Sequence, residues 1–103
     1  MKIQINDKSI PLRDANTLCK KIIGLMFKKK INYCLRIKCN GIHTFFMLSK
    51  IDVILTDKNN NIIYIYKNLK PNRIILPKKN VYYTYEFPNN FIKDNISKIK
   101  IID

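Results

Sequence analysis

Cys39, His43, Met47 and Asp52 place a thiol, the chain's single imidazole, a thioether and a carboxylate close together in sequence. These are the side chains of a soft Cu(I) or zinc site. A Cys39–His43 pair oriented by Asn40 or Asp52 has instead the composition of an activated nucleophile. The spacing weighs against metal. On an extended strand four residues span roughly 13 Å, whereas metal–ligand bonds are about 2 to 2.3 Å. Only a turn at Asn40-Gly41 brings Cys39 to His43, and a further ligand such as Asp52 or Glu86 must arrive from another strand. Cys39 occupies an inward strand position, where burial raises a thiol pKa and makes it inert, and buried Cys and Met are ordinary core residues. No catalytic residue, metal ligand or cofactor is therefore assigned, and a small enzyme or metal protein using Cys39, His43 and Asp52 is the second reading. The first is a binding module. Asn40, His43, Thr44, Asp52 and Glu86 would orient a small ligand or partner in a cleft lined by Phe46 and Met47, as in most small-molecule sites. The plainer account makes the Phe residues core and has the polar groups satisfy buried backbone.

The elements that must position these residues are short strands. Lys2–Asn6 alternates, and Ile10–Arg13 reads as a second strand that Pro11 demotes to an edge. Leu18, Ile22 and Leu25 recur at helical spacing after an N-cap at Asp14 or Asn16, predicting a short helix that ends near Gly24 and closes one side of the sheet. Leu35, Ile37 and Cys39 share one face of the next strand and Cys34, Arg36 and Lys38 the other, which predicts a half-buried strand. Ile51–Leu55 is a central strand, joined through turn residues Asp57–Asn61 to Ile62–Tyr66 in an antiparallel hairpin. Lys67–Lys79 is a long ordered excursion with an apolar middle. Val81–Phe87 alternates, with Val81, Tyr83, Tyr85 and Phe87 on one face and Tyr82, Thr84 and Glu86 on the other. Phe91–Asn95 reads as one helical turn and Lys98–Ile102 as a closing strand.

The chain has 103 residues, enough for one core and too few for two, so residues 1–103 read as a single domain. Its formal net charge of +13 points toward polyanions. The excess is almost all lysine, however, and Arg13, Arg36 and Arg73 are the only arginines. With so few bidentate guanidinium forks, the lysine runs read as solvated faces, and polyanion contact is expected to be nonspecific and salt-sensitive. Lys67, Lys70, Arg73, Lys78 and Lys79 beside Tyr82 would be its place. No apolar run reaches membrane-spanning length, no secretory leader is visible, and three cysteines fit no zinc pattern. A reduced, cytoplasmic monomer is the expectation.

The chain resembles domain of unknown function family 192. The residues carrying the likeness are Ala15 with Thr17, Gly24-Leu25-Met26-Phe27, Cys39-Asn40 leading into His43-Thr44-Phe45-Phe46-Met47, Ile51-Asp52-Val53 with Asp57, Leu69-Lys70-Pro71 and Tyr85-Glu86-Phe87. The resemblance implies an α+β domain, mostly an antiparallel sheet curled toward a half-barrel with one short N-terminal helix, and brings no established activity. It departs near the end, where similar proteins carry glycine turns and this chain has Pro88-Asn89-Asn90 and Asp94-Asn95.

Overall fold

The structure is a computed structural model that describes residues 1–5, 8–15, 32–39, 42–43, 48–92 and 99–102. Nine strands are described: β1 (Lys2–Ile5), β2 (Lys8–Asp14), β3 (Cys34–Ile37), β4 (Ile42–His43), β5 (Ile51–Thr56), β6 (Ile62–Leu69), β7 (Ile74–Ile75), β8 (Tyr83–Pro88) and β9 (Ile99–Ile102). Seven form one sheet in the order β6-β5-β8-β3-β2-β1-β9, and β4 pairs with β7 in a separate ribbon. All pairings are antiparallel except β2 with β3, so the sheet is mixed. The expected helix over residues 16–26 lies outside the described residues, as does most of the Phe91–Asn95 turn.

Both faces of this sheet are covered, and the register fixes which side chains share each face. In antiparallel pairs, directly opposed residues point the same way. On one face Cys34, Ile54, Tyr85 and Phe87 pack with Ile3, Ile5, Leu12, Ile92 and Ile99. Ile54 on β5 and Ile99 on β9 are five strand positions apart, about 24 Å in a flat sheet at about 4.8 Å per strand. Both belong to one continuous apolar cluster that lines this, the closed face of the curled sheet. On the other, Leu35, Ile37, Ile51, Val53 and Leu55 pack with Ala15, Ile75 and Val81. Ile75 is delivered by β7, so the β4–β7 ribbon lies on this ribbon face.

β5 is buried at every position because it sits between β6 and β8 with clusters on both faces. Each fully buried aliphatic side chain there contributes about 1.5 to 3 kcal/mol. The expected face assignment for Cys34–Cys39 holds: Leu35 and Ile37 are buried on one face, while on the other burial falls from Cys34 through Arg36 to exposed Lys38.

Pro11 does not mark an edge. β2 lies between β1 and β3, handing over from one partner to the other along its length. The Leu12 N–H donates to Met1 O at 2.9 Å, so alternation puts Lys2↔Pro11 in a non-hydrogen-bonded pair whose nitrogen faces away from β1. The β3 ladder starts only at Leu12↔Cys34. The missing proline N–H falls where no ladder bond is required.

Left-handed backbone is supplied by asparagine. Asn60, Asn68, Asn72, Asn80 and Asn90 have φ of 65°, 56°, 63°, 70° and 63°, in a chain with two glycines. Asn tolerates this region because its short amide bonds locally. Asn90 occupies such a position in the turn after β8, where the resemblance led to a glycine.

Candidate functional site

Asp52 and Glu86 sit on neighbouring central strands, and the register separates them. Asp52 lies opposite Phe87 while Glu86 lies opposite Val53, so the two carboxylates project from opposite faces. The expectation that they gather in one hollow is corrected here. Cys39 packs against the ribbon-face cluster, so the Cys39–His43–Asp52 combination of the second reading is likewise not assembled on one face.

Asp52 has a structural task. β6 carries one extra residue here, since Ile51 pairs with Leu69 and Val53 with Tyr66. Asn68, in the left-handed region, belongs to this bulge. Its N–H donates to Asp52 Oδ1 at 2.9 Å. The other oxygen, Oδ2, accepts from the Ile92 N–H at 3.0 Å. One fully buried carboxylate thus ties the β6 bulge to the segment leaving β8.

Glu86 has the opposite character. It lies between Leu35 on β3 and Val53 on β5, is only 3% exposed, and its Oε1 has no hydrogen-bond partner among the described residues. Burial pushes its carboxyl up to about 8, because removing an anion from water favours the neutral acid. Two residues earlier on the same strand face, Thr84 lies opposite Ile37 and Leu55. The Thr84 hydroxyl donates to Cys39 O at 3.1 Å and accepts a weak bond from Cys39 Sγ at 3.6 Å. Cys39 is folded back toward Thr84 by a tight turn in which its N–H donates to Ile37 O at 2.9 Å. Cys39, Thr84 and Glu86 therefore form a polar row on the otherwise apolar ribbon face.

His43 lies on β4, where its backbone is opposite Ile74 of β7, with Ile42 opposite Ile75. Asn40, Thr44, Phe46 and Met47, with Phe45, lie outside the described residues. Of the seven residues proposed for ligand contact, Glu86 and the backbone of His43 are placed on the ribbon side, and Asp52 is on the other. Thr84 was not singled out by sequence reasoning, although the alternation of Val81–Phe87 puts it beside Glu86. Among the described residues no group of three or more His, Cys, Asp or Glu side chains could hold a metal ion.

A second polar cluster was missed entirely. Arg36 grips Asp14 through Nε to Oδ1 and Nη2 to Oδ2 at 2.5 and 2.9 Å, a bidentate geometry made possible by the parallel register Asp14↔Arg36. The bonds to Asp14 raise the Arg36 pKa. Its guanidinium carbon lies 5.2 Å from the Tyr83 ring centre. Tyr85, pushed up to about 12 mainly by burial, donates to Asn60 Oδ1 at 2.5 Å. This network pins the β5–β6 turn to the sheet. In that turn Asp57 accepts from the Asn59 and Asn61 N–H groups and from Asn61 Nδ2, bonds that lower its pKa. An open hollow of about 380 Å3 beside it is lined by Asp57, Lys58, Asn80 and Tyr82 among others.

The family model of DUF192, described as an uncharacterized ACR, matches residues 1–99. The chain belongs to the DUF192 family. A UPF0127 protein of Pyrococcus horikoshii is 40% identical over 93 residues, covering 82% of this chain and 77% of that protein. One from Thermococcus kodakarensis is 37% identical over 86 residues, covering 77% of this chain and 54% of the other. Among solved structures, a protein of unknown function from Novosphingobium aromaticivorans superposes with a TM-score of 0.78 at 14% identity, over 98% of this chain and 84% of that one. At that identity the likeness shows the DUF192 chain's fold alone. The family brings no assigned activity, so any function must be argued from the ribbon face itself.

Proposed function

We propose that this DUF192 chain is a small-ligand binding module whose site lies on the ribbon face, between the Cys39–Thr84–Glu86 row and the segment containing His43. The observation that supports this reading is Glu86 Oε1, a buried carboxyl oxygen with no partner among the described residues. Leaving such a group unsatisfied costs about 1 to 3 kcal/mol, and a ligand carrying an N–H or O–H donor would recover it. Thr84 and Cys39 add a hydroxyl and a thiol within the same apolar wall, the mixture that orients small molecules. Access runs through the β4–β7 ribbon, which is paired over only two residues on each strand and is a weak element by length. The two described cysteines, Cys34 and Cys39, face opposite sides of the sheet, where they cannot bridge each other.

The test is a fragment screen by thermal shift on wild type, Glu86→Gln and Glu86→Leu. Donor-bearing fragments should stabilise wild type, act weakly on Glu86→Gln, and lose their effect on Glu86→Leu. Fragments that stabilise all three variants equally would remove Glu86 from the site.

A further inference from the structure

The two outer edges of the sheet differ. β9 offers four residues, whereas β6 offers eight, Ile62–Leu69, with no proline. Ile63, Tyr64 and Ile65 on β6 are 36%, 42% and 41% exposed, and Tyr64 and Tyr66 stack with ring centres 6.5 Å apart. A long apolar edge of this kind is a template for another strand, and natural sheets normally shorten, cover or charge such edges.

Charge decides what kind of strand. Between Asp57 and Glu86 the sequence holds six lysines and arginines and no acidic residue. The bounding acids do not offset this, because Asp57 is engaged in its own turn and Glu86 is buried. Lys78 Nζ lies 5.3 Å from the Tyr64 ring centre, which places positive charge directly beside the edge. A second copy of this chain, also at +13, would be repelled. Nucleic acid would leave the exposed aliphatic side chains without a matching surface.

We propose that β6 is a docking edge for an extended acidic peptide, which adds as an outer strand and alternates its side chains between the Tyr64–Tyr66 row and the Ile63–Ile65 side. Main-chain hydrogen bonds supply the register and the basic segment selects the sign of charge. The Tyr64–Tyr66 row points to the same side of the sheet as Val53 and Leu55, but the edge proposal does not rest on Glu86 or on ligand binding beside it.

Fluorescence anisotropy with a labelled ten-residue peptide of alternating Glu and Val tests it, alongside a Lys–Val peptide and a Glu–Val peptide N-methylated at every residue, which keeps the charge and side chains but lacks pairing donors. The Glu–Val peptide should bind at least tenfold more tightly than either control. Amide shift changes should be confined to Ile62–Leu69 and adjoining residues, and Tyr64→Glu, at an exposed position, should weaken binding at least fivefold. Equal binding of the N-methylated peptide, self-association without peptide, shifts at β9, or tighter binding of oligouridine or anionic vesicles would each overturn the proposal.

Discussion

Asp52 and Glu86 are buried carboxyl groups on adjacent strands, yet their surroundings have opposite consequences. Asp52 faces the closed side of the sheet, and both its oxygens accept backbone N–H groups from segments that cannot satisfy those donors otherwise. Glu86 faces the ribbon side, among Leu35 and Val53, and Oε1 accepts nothing among the described residues. A buried acid that completes the backbone is part of the fold. One that burial leaves incomplete is the group on which the proposed binding role rests.

The sharpest way to break this contrast is Asp52→Ala. It strands the Asn68 and Ile92 N–H groups in a buried site and should cost about 3 to 5 kcal/mol, measured by urea unfolding. Asp52→Asn keeps one acceptor and should lose roughly half as much. Next in size is pH dependence. Glu86 has a folded pKa of about 8 against an ordinary value of 4.5, so the folded state holds its proton where the unfolded chain has released it. Its contribution is fully present below about pH 4.5 and is lost as pH rises through about 8, at up to about 1.4 kcal/mol per pH unit. Stability curves of wild type and Glu86→Gln should diverge across that window and run parallel below it.

Glu86→Leu should be neutral or raise stability by about 1 to 2 kcal/mol at pH 8, since it removes an unsatisfied polar group from an apolar face. A loss as large as that of Asp52→Ala would show that Glu86 completes the fold after all. The smallest effects concern the left-handed turns away from both carboxylates. Asn72→Val should cost about 1 to 2 kcal/mol, because a β-branched residue resists φ of 63°. Asn72→Gly should stay within about 0.5 kcal/mol.

Much of the sheet is legible in residue pattern. The Ile51–Leu55 run is central because both its faces are apolar, and the asparagine-rich Asp57–Asn61 turn closes the β5–β6 hairpin. The alternation in Val81–Phe87 correctly separates Thr84 and Glu86 from Tyr83, Tyr85 and Phe87 but misplaces Val81, which packs in the ribbon-face cluster because the strand begins only at Tyr83. What pattern cannot supply is register between strands. Side chains alternate with period two, so a slip of one residue moves a group to the other face. Whether Asp52 stands beside Glu86 or beside Phe87 depends on exactly such a step. The same limit hides the Asp14–Arg36 pair, which exists only because β2 and β3 run parallel with those residues in register. Pro11 misleads for a different reason: it marks the place where a strand changes partner, and no local signal distinguishes that from an edge.

Glu86 is the chain's only glutamate, so labelling glutamate side-chain carboxyl carbons with 13C yields one assignable signal. Its titration measures the central claim directly. A midpoint near 8 is the result of a neutral acid enclosed on the ribbon face without compensation. A midpoint near 4.5 would mean the carboxylate is solvated or fully partnered, and would contradict both its character and the binding role built on it.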